Sequence, residues 1–262
     1  MRTKARWVVL GGLGSIGKKH VENLRTLGFD PLIVDPAGEM ATYETRPSDR
    51  VVIASPSRLH EEQLAALGPR VRAILVEKPP ALTGAGWKAV RDACPRLAVG
   101  FNWRFHPTIR ALKGSDFDGI ELVSFENIRW FPGGAHLFDT KQGGGILLTS
   151  GVHSIDLLCH LMGGPAEVES SGVSENQLFA RLIHPRGWST VTMVWDWIGK
   201  VCRRGTVYSS SSGRISMLLL TLPCDMHLDM MKAFVEYADT GNPGELCTAE
   251  QAQWVMDIAD AF

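Results

Sequence analysis

No stretch of this chain approaches the ~18 consecutive apolar residues of a membrane-spanning helix. The apolar run Trp7–Leu10 is too short for a secretory signal and leads straight into glycines. A soluble, cytoplasmic protein with no membrane partner is therefore expected. Basic runs are also missing: Lys18-Lys19 and Arg203-Arg204 are isolated pairs, and the net charge is −1. Such a balance offers no field for a polyanion, so nucleic acid is set aside as a partner. The five cysteines are odd in number, widely scattered and never spaced CxxC. That argues against a disulfide scaffold and a structural zinc site, and it fits a reducing compartment. No bound metal is expected. No internal repeat occurs, and the one low-complexity tract, Ser209–Ser212, reads as a turn.

What is present is an ordinary globular composition, 45% hydrophobic and 21% charged over 262 residues, enough for one large domain or two modest ones. Short, nearly all-apolar runs recur at 6–10, 31–35, 50–54, 73–76 and 97–100. Runs of that kind are strands buried on both faces of a parallel sheet. Helical patterns separate most of them, at about 15–27, 59–67 and 84–93, and Gly28 closes the first. Only fifteen residues, with Pro36, Gly38 and Pro47 among them, join Asp35 to Val51, so the usual crossover helix there is expected to be short or missing. The reading is a doubly wound α/β sheet.

After residue 104 the pattern changes. A helix is expected near 106–113, a strand over 120–130, a glycine-rich loop over 132–145 and a long helix over 145–162. Runs near 166–173, 177–184, 189–197, 203–209 and 213–220 then read as a large antiparallel or mixed sheet. Helices near 225–239 and 248–262 finish the chain, the second opened by a capping box of Thr248 and Gln251.

Gly12-Leu13-Gly14-Ser15-Ile16-Gly17 fits G-x-G-x-x-G between the first strand and the first helix. In that setting Gly12 permits the tight turn, Gly14 clears the approach of a pyrophosphate, and Gly17 lets helix and strand pack closely. The helix end then offers free N–H groups and the positive end of its dipole to the phosphates. Asp35 closes the second strand, where a carboxylate accepts hydrogen bonds from the adenosine ribose and repels a 2′-phosphate. NAD is favoured, with NADP kept open by Arg46 and Arg50.

Further along stand Ala54-Ser55-Pro56-Ser57-Arg58-Leu59-His60, Glu77-Lys78-Pro79, Gly100-Phe101-Asn102-Trp103-Arg104-Phe105-His106-Pro107 and Gly143-Gly144-Gly145, then Gly151-Val152-His153-Ser154-Ile155-Asp156. Taken in order with the glycine turn, these motifs resemble the Gfo/Idh/MocA oxidoreductases, from residue 8 to about 164. The resemblance implies a Rossmann domain, here 1–103, followed by a substrate-binding and oligomerisation α/β domain, here 104–262, whose final helix could return to the first. It further implies a homodimer or homotetramer formed through the open C-terminal sheet. The implied activity is hydride transfer between a nicotinamide and a secondary alcohol or ketone of a sugar, cyclitol or nucleotide sugar.

By the same resemblance Gly12, Gly14, Ser15, Ile16, Gly17, Asp35, Ser55, Pro56, His60, Glu77, Lys78 and Asn102 line the cofactor, with Glu77 on the nicotinamide ribose. Lys78, Arg104, Thr149 and His153 face the substrate, with Lys78 and His153 catalytic. These roles suit the residue types. Imidazole, with an ordinary pKa near ~6.5, takes a proton at neutral pH, and an ammonium stabilises a developing alkoxide. His160 and Asp156 read as structural. Trp103, Trp130, Phe131 and His136 read equally as a sugar platform or as core, and Trp195-Asp196-Trp197 reads as strand packing.

One departure stands out. Four residues before His153 the family places an aspartate on the same helix face, and this chain has Thr149. A threonine can hydrogen-bond an imidazole but cannot balance its charge. Two other readings therefore stay open: a dinucleotide-dependent binding or regulatory protein without turnover, and an NAD-assisted hydrolase or isomerase with no net redox change.

Overall fold

The computed structural model describes residues 6–34, 43–127, 144–196, 202–219 and 224–262. Asp35, Trp130, Phe131, His136, Gly143 and Trp197 lie outside the described residues. The chain divides into two compact units, Met1–Asn102 with Asp225–Ala252, and Trp103–Cys224 with Gln253–Phe262.

In the first unit β1 (Trp7–Leu10), β2 (Leu32–Val34), β3 (Arg50–Ile53), β4 (Ala73–Val76) and β5 (Leu97–Val99) pair in parallel, in the order β5-β4-β3-β1-β2. Strands β1, β4 and β5 are buried at every position, which is what their unbroken apolar runs require. The helices are α1 (Ser15–Thr26), α2 (His60–Leu67) and α3 (Gly84–Val90). Residues 43–49 carry no helix; they are held by buried Asp49, which accepts from Arg6 at 2.7 Å and from the Tyr43 hydroxyl at 2.7 Å.

Helix α4 (Pro107–Leu112) and strand β6 (Gly119–Asn127) open the second unit. A π-helical turn, Leu147–Gly151, then runs into α5 (Val152–Met162). Four strands follow: β7 (Glu167–Val173), β8 (Gln177–His184), β9 (Gly187–Asp196) and β10 (Cys202–Ser209), with β11 (Arg214–Leu219) as the edge. The sheet order is β11-β10-β6-β9-β8-β7. Only β6 and β9 run parallel, so the sheet is mixed. Its inner face, with Ile120, Leu122, Leu178, Leu182, Val191, Met193 and Trp195 buried, packs against α5. The opposite face leaves Phe125, Phe179 and Ile183 exposed at 44%, 42% and 38%.

The last segments correct a simple cut after residue 103. Helix α6 (Met226–Thr240) belongs to the first unit, where Phe234 packs edge-on against Trp7 at 5.7 Å. Strand β12 (Cys247–Thr248) adds antiparallel to β5 as a sixth strand of the first sheet. Thr248 and Gln251 exchange hydrogen bonds at 3.3 Å as a capping box for α7 (Ala249–Ala259). A two-residue strand has no periodicity to read, which is why β12 escaped notice in the sequence. No helix among the described residues is long and apolar enough to cross a membrane.

Two histidines of the second unit should govern acid stability. Burial, with the charges of Arg104 and Lys113 adding to it, pushes the His160 imidazole down to about 3, and burial takes His184 down to about 4. Both stay neutral in the fold while the unfolded chain protonates them near the ordinary value of 6.5. The unfolded state therefore binds more protons below that pH, and stability falls as pH drops from about 6.5. The thermal midpoint should be flat above pH 7 and decline steadily from pH 6.5 to pH 4. His160→Leu should shallow that decline; an unchanged slope would refute the assignment.

Candidate active site

The turn after β1 is built on backbone proximity. Gly11, at φ +71°, takes the left-handed conformation, and a Cβ there would come within 2.7 Å of the Ala54 carbonyl oxygen. The turn residue proper is thus Gly11, one before the Gly12 named by the motif. A Cβ on Gly17 would lie 2.1 Å from the Gly11 carbonyl oxygen, so α1 can press on the strand only with glycine there. At Gly14 a Cβ would meet only that same oxygen, at 3.3 Å. Gly14, Ser15 and Leu13 are exposed, and no side chain caps α1. The helix end thus presents uncapped N–H groups, the donor set that a pyrophosphate takes.

The neighbouring strand ends converge on this turn. Ser55 is buried and donates to Gln63 at 2.5 Å, and Pro56 beside it is exposed. His60 differs from the expectation that it lines the cofactor. Its ring is buried, with Nδ1 at 2.8 Å from the Pro79 carbonyl and Nε2 at 2.9 Å from the Ser55 carbonyl. Both nitrogens are committed to backbone, so His60 fixes the two loops that carry Ser55 and Lys78 instead of offering an atom to a ligand. Of the arginines that kept NADP open, Arg50 is held in place: it pairs with Asp239 and lies over the Trp7 ring at 5.3 Å. Arg46 is exposed.

At the end of β4, Glu77 is 6% exposed and meets His20 Nε2 of α1 at 2.7 Å. Burial works against the carboxylate, but the His20 hydrogen bond, helped by His227 and Lys78, outweighs it and holds Glu77 below the ordinary value. Lys78 is half-buried, follows directly, and enters a cis peptide with Pro79. Asn102, 5% exposed, places Nδ2 3.2 Å from the ring of His227 on α6. His20 and His227 are both additions to the expected set. His20 was legible in principle, because it falls on the buried stripe of α1 with Val21 and Leu24, where a polar residue needs a partner. His227 had no signal, since α6 lies more than a hundred residues away in the sequence.

In the second unit, Arg104 corrects its expected role at the substrate. It is 2% exposed and grips Asp156 with Nε at 2.9 Å and Nη2 at 2.6 Å. The pair ties the turn after Asn102 to the middle of α5. Thr149 and His153 are buried at 6% and 9% exposure. The regular i, i+4 spacing assumed for them does not hold throughout, because Thr149 sits inside the π turn.

The His153 ring stacks on Trp103, with centroids 5.0 Å apart and planes 10° from parallel. The Arg203 guanidinium lies 4.5 Å from the centre of the Trp103 ring. Arg203 in turn donates to buried Glu126 at 2.8 Å, and Ser150 donates to the same carboxylate at 2.6 Å. Glu126 and Arg203 were missed. The pattern of β6 held a signal: Glu126 continues the inward phase of Ile120, Leu122 and Ser124, and a charge in that phase calls for a buried partner. Among the described residues, no group of three His, Cys, Asp or Glu could hold a metal ion.

No family model matches the chain. It is 31% identical over 123 residues to inositol 2-dehydrogenase of Rhizobium meliloti, covering 44% of this chain and 37% of the relative. It is 29% identical over 178 residues to the rhizopine catabolism protein MocA of the same species, covering 59% and 56%. The matches thus span about a third to just over half of those relatives. The WlbA (WbpB) dehydrogenase from Thermus thermophilus, solved with NAD and α-ketoglutarate, shares the fold at TM-score 0.74 and 18% identity, over 98% of this chain and 94% of that one.

The buried ion pair gives a stability prediction. Asp156→Leu or Arg104→Met alone leaves a buried charge without its partner and should cost about 3–5 kcal/mol. The double variant should lose distinctly less than the sum of the two singles. Urea unfolding of the three proteins measures this, and strict additivity would show that the pair is not coupled.

Proposed function

We propose that this chain, similar in sequence to inositol 2-dehydrogenase and MocA and in fold to a solved dehydrogenase, is a Gfo/Idh/MocA-type NAD-dependent oxidoreductase. Its substrate is a sugar, cyclitol or nucleotide sugar, oxidised at a secondary alcohol or reduced at the corresponding ketone. The observation that carries this reading is the uncapped N-terminus of α1, reached through the glycine turn and flanked by Ser55 and Pro56. These residues fit a dinucleotide: N–H groups and Gly14 for the pyrophosphate, and the ionised Glu77 for the nicotinamide ribose hydroxyls. Bound there, the nicotinamide supplies the hydride acceptor. Arg50's engagement with Asp239 and Trp7 supports NAD over NADP; Asp35, assigned to the adenosine ribose, lies outside the described residues.

Two residues carry the proposed proton and charge chemistry. Lys78, beside the Glu77 carboxylate, donates through its ammonium to the substrate oxygen and stabilises the alkoxide as it forms. His153 takes the hydroxyl proton during oxidation and returns it during reduction. Thr149, in the π turn that leads into α5, is assigned to the substrate side. Arg104 and His60 are left out of this set, since their polar atoms are committed within the fold. The uncovered face of the second sheet, with Phe125, Phe179 and Ile183, is assigned to self-association as a homodimer or homotetramer.

A second reading, a dinucleotide-binding protein without turnover, is favoured by Thr149 standing where the family has a carboxylate. NADH formation at 340 nm with a panel of sugars, cyclitols and nucleotide sugars separates the two. The dehydrogenase reading expects turnover that Lys78→Ala abolishes while calorimetric NADH affinity stays within about threefold. Gly14→Val should keep the thermal midpoint and weaken NADH by more than about tenfold, since its side chain enters the pyrophosphate path. Absence of turnover with intact NADH binding would decide for the binding protein. Light scattering should show an oligomer that Phe179→Asp shifts toward monomer.

A further inference from the structure

A proton-transfer imidazole has to be held in one plane. The torsion that turns a histidine ring is a broad one, with weak intrinsic preference. A displacement of even an ångström at a reacting group can cost about 10²-fold in rate. In this chain position 149 holds a threonine, so no carboxylate there fixes the plane of His153. The ring that lies against it is Trp103, nearly coplanar at 10° and 5.0 Å.

We propose that Trp103 is the positioning residue for His153, with Arg203 and Glu126 holding the indole in place. This rests on the reading of His153 as the proton-transfer group. The indole is 7% exposed and sits in the short 3-10 turn Asn102–Phe105, which the adjacent Arg104–Asp156 pair fastens to α5. Arg203 packs on the indole at 4.5 Å, and it is not free to wander. It projects from β10 beside Ser124, on the inner face of the sheet, where Glu126 binds it at 2.8 Å and 3.2 Å. Glu126 is 3% exposed and also accepts from Ser150 in the π turn, at 2.6 Å. The column therefore runs from the turn leading into α5, through the sheet, to the face of the imidazole on α5 itself. An aromatic face serves both protonation states of the ring: it stacks on neutral imidazole and attracts imidazolium through its quadrupole. A carboxylate would instead favour the cation alone.

The test joins a spectroscopic readout with kinetics. In the wild-type protein the Hε1 resonance of His153, assigned by its loss in His153→Gln, should be displaced upfield by the indole ring current. Trp103→Leu should return it toward the free-histidine position, and Trp103→Phe should restore part of the displacement. With the most active substrate from the dehydrogenase panel, Trp103→Leu should lower kcat by about 10- to 100-fold while the NAD KM stays within about twofold. Trp103→Phe should recover kcat to within about threefold of wild type. An unshifted Hε1 signal in the wild type refutes the stack even if Trp103→Leu does not fold. A shifted signal with wild-type kcat in Trp103→Leu refutes the positioning role. If His153→Gln itself keeps full turnover, the proton-transfer reading of His153 fails and the positioning role falls with it; a substrate panel giving no turnover at all overturns the role too, whatever the NMR shows.

Discussion

A charge taken out of water has to be paired, and three pairs, each with a buried carboxylate, fix the geometry of both units. In the first, His20 against Glu77 joins the helix that follows the glycine turn to the strand end that carries Lys78. In the second, Arg104 against Asp156 fastens the turn after Asn102 to α5, and Arg203 against Glu126 sets the inner face of the sheet next to Trp103. Each couples a segment with chemistry on it to a rigid element. Breaking a buried pair costs more than forming it gains, so these contacts act as locks on position more than as sources of stability.

The same constraint sorts the candidate residues into two groups. His60 and Arg104 have the residue types of ligand-binding groups, yet both ring nitrogens of His60 face the Ser55 and Pro79 carbonyls, and Nε and Nη2 of Arg104 are held by Asp156. They build the site without entering it. Gly14, Ser15, Pro56 and Lys78 remain at least partly open to solvent. Glu77 stands between the groups, since its ionised carboxylate is held by His20 and yet lies directly beside Lys78.

Thr149 is the feature that sets this chain apart from the Gfo/Idh/MocA pattern that it resembles. The stacked column of Arg203, Trp103 and His153 supplies geometric restraint without a negative charge at that point. Of the buried anions of the second unit, Asp156 is engaged by Arg104, and Glu126 by Arg203 and Ser150.

Local order determined much of this protein from its sequence alone. The all-apolar runs specified buried parallel strands, the 3.6-residue pattern specified α1 and α5, and the close-packed turn demanded glycine at 17. Those features depend on neighbours a few residues apart, so their signals survive in one dimension. What only the tertiary structure decided depends on residues far apart in the chain. It brought β12 beside β5 and His227 beside Asn102, placed the positive φ of the turn at Gly11, and turned Arg104 inward onto Asp156. It also laid Trp103 flat on His153. An arginine or a tryptophan reads the same in sequence whether it meets a ligand or a neighbour, because the partner that satisfies it is chosen by the fold.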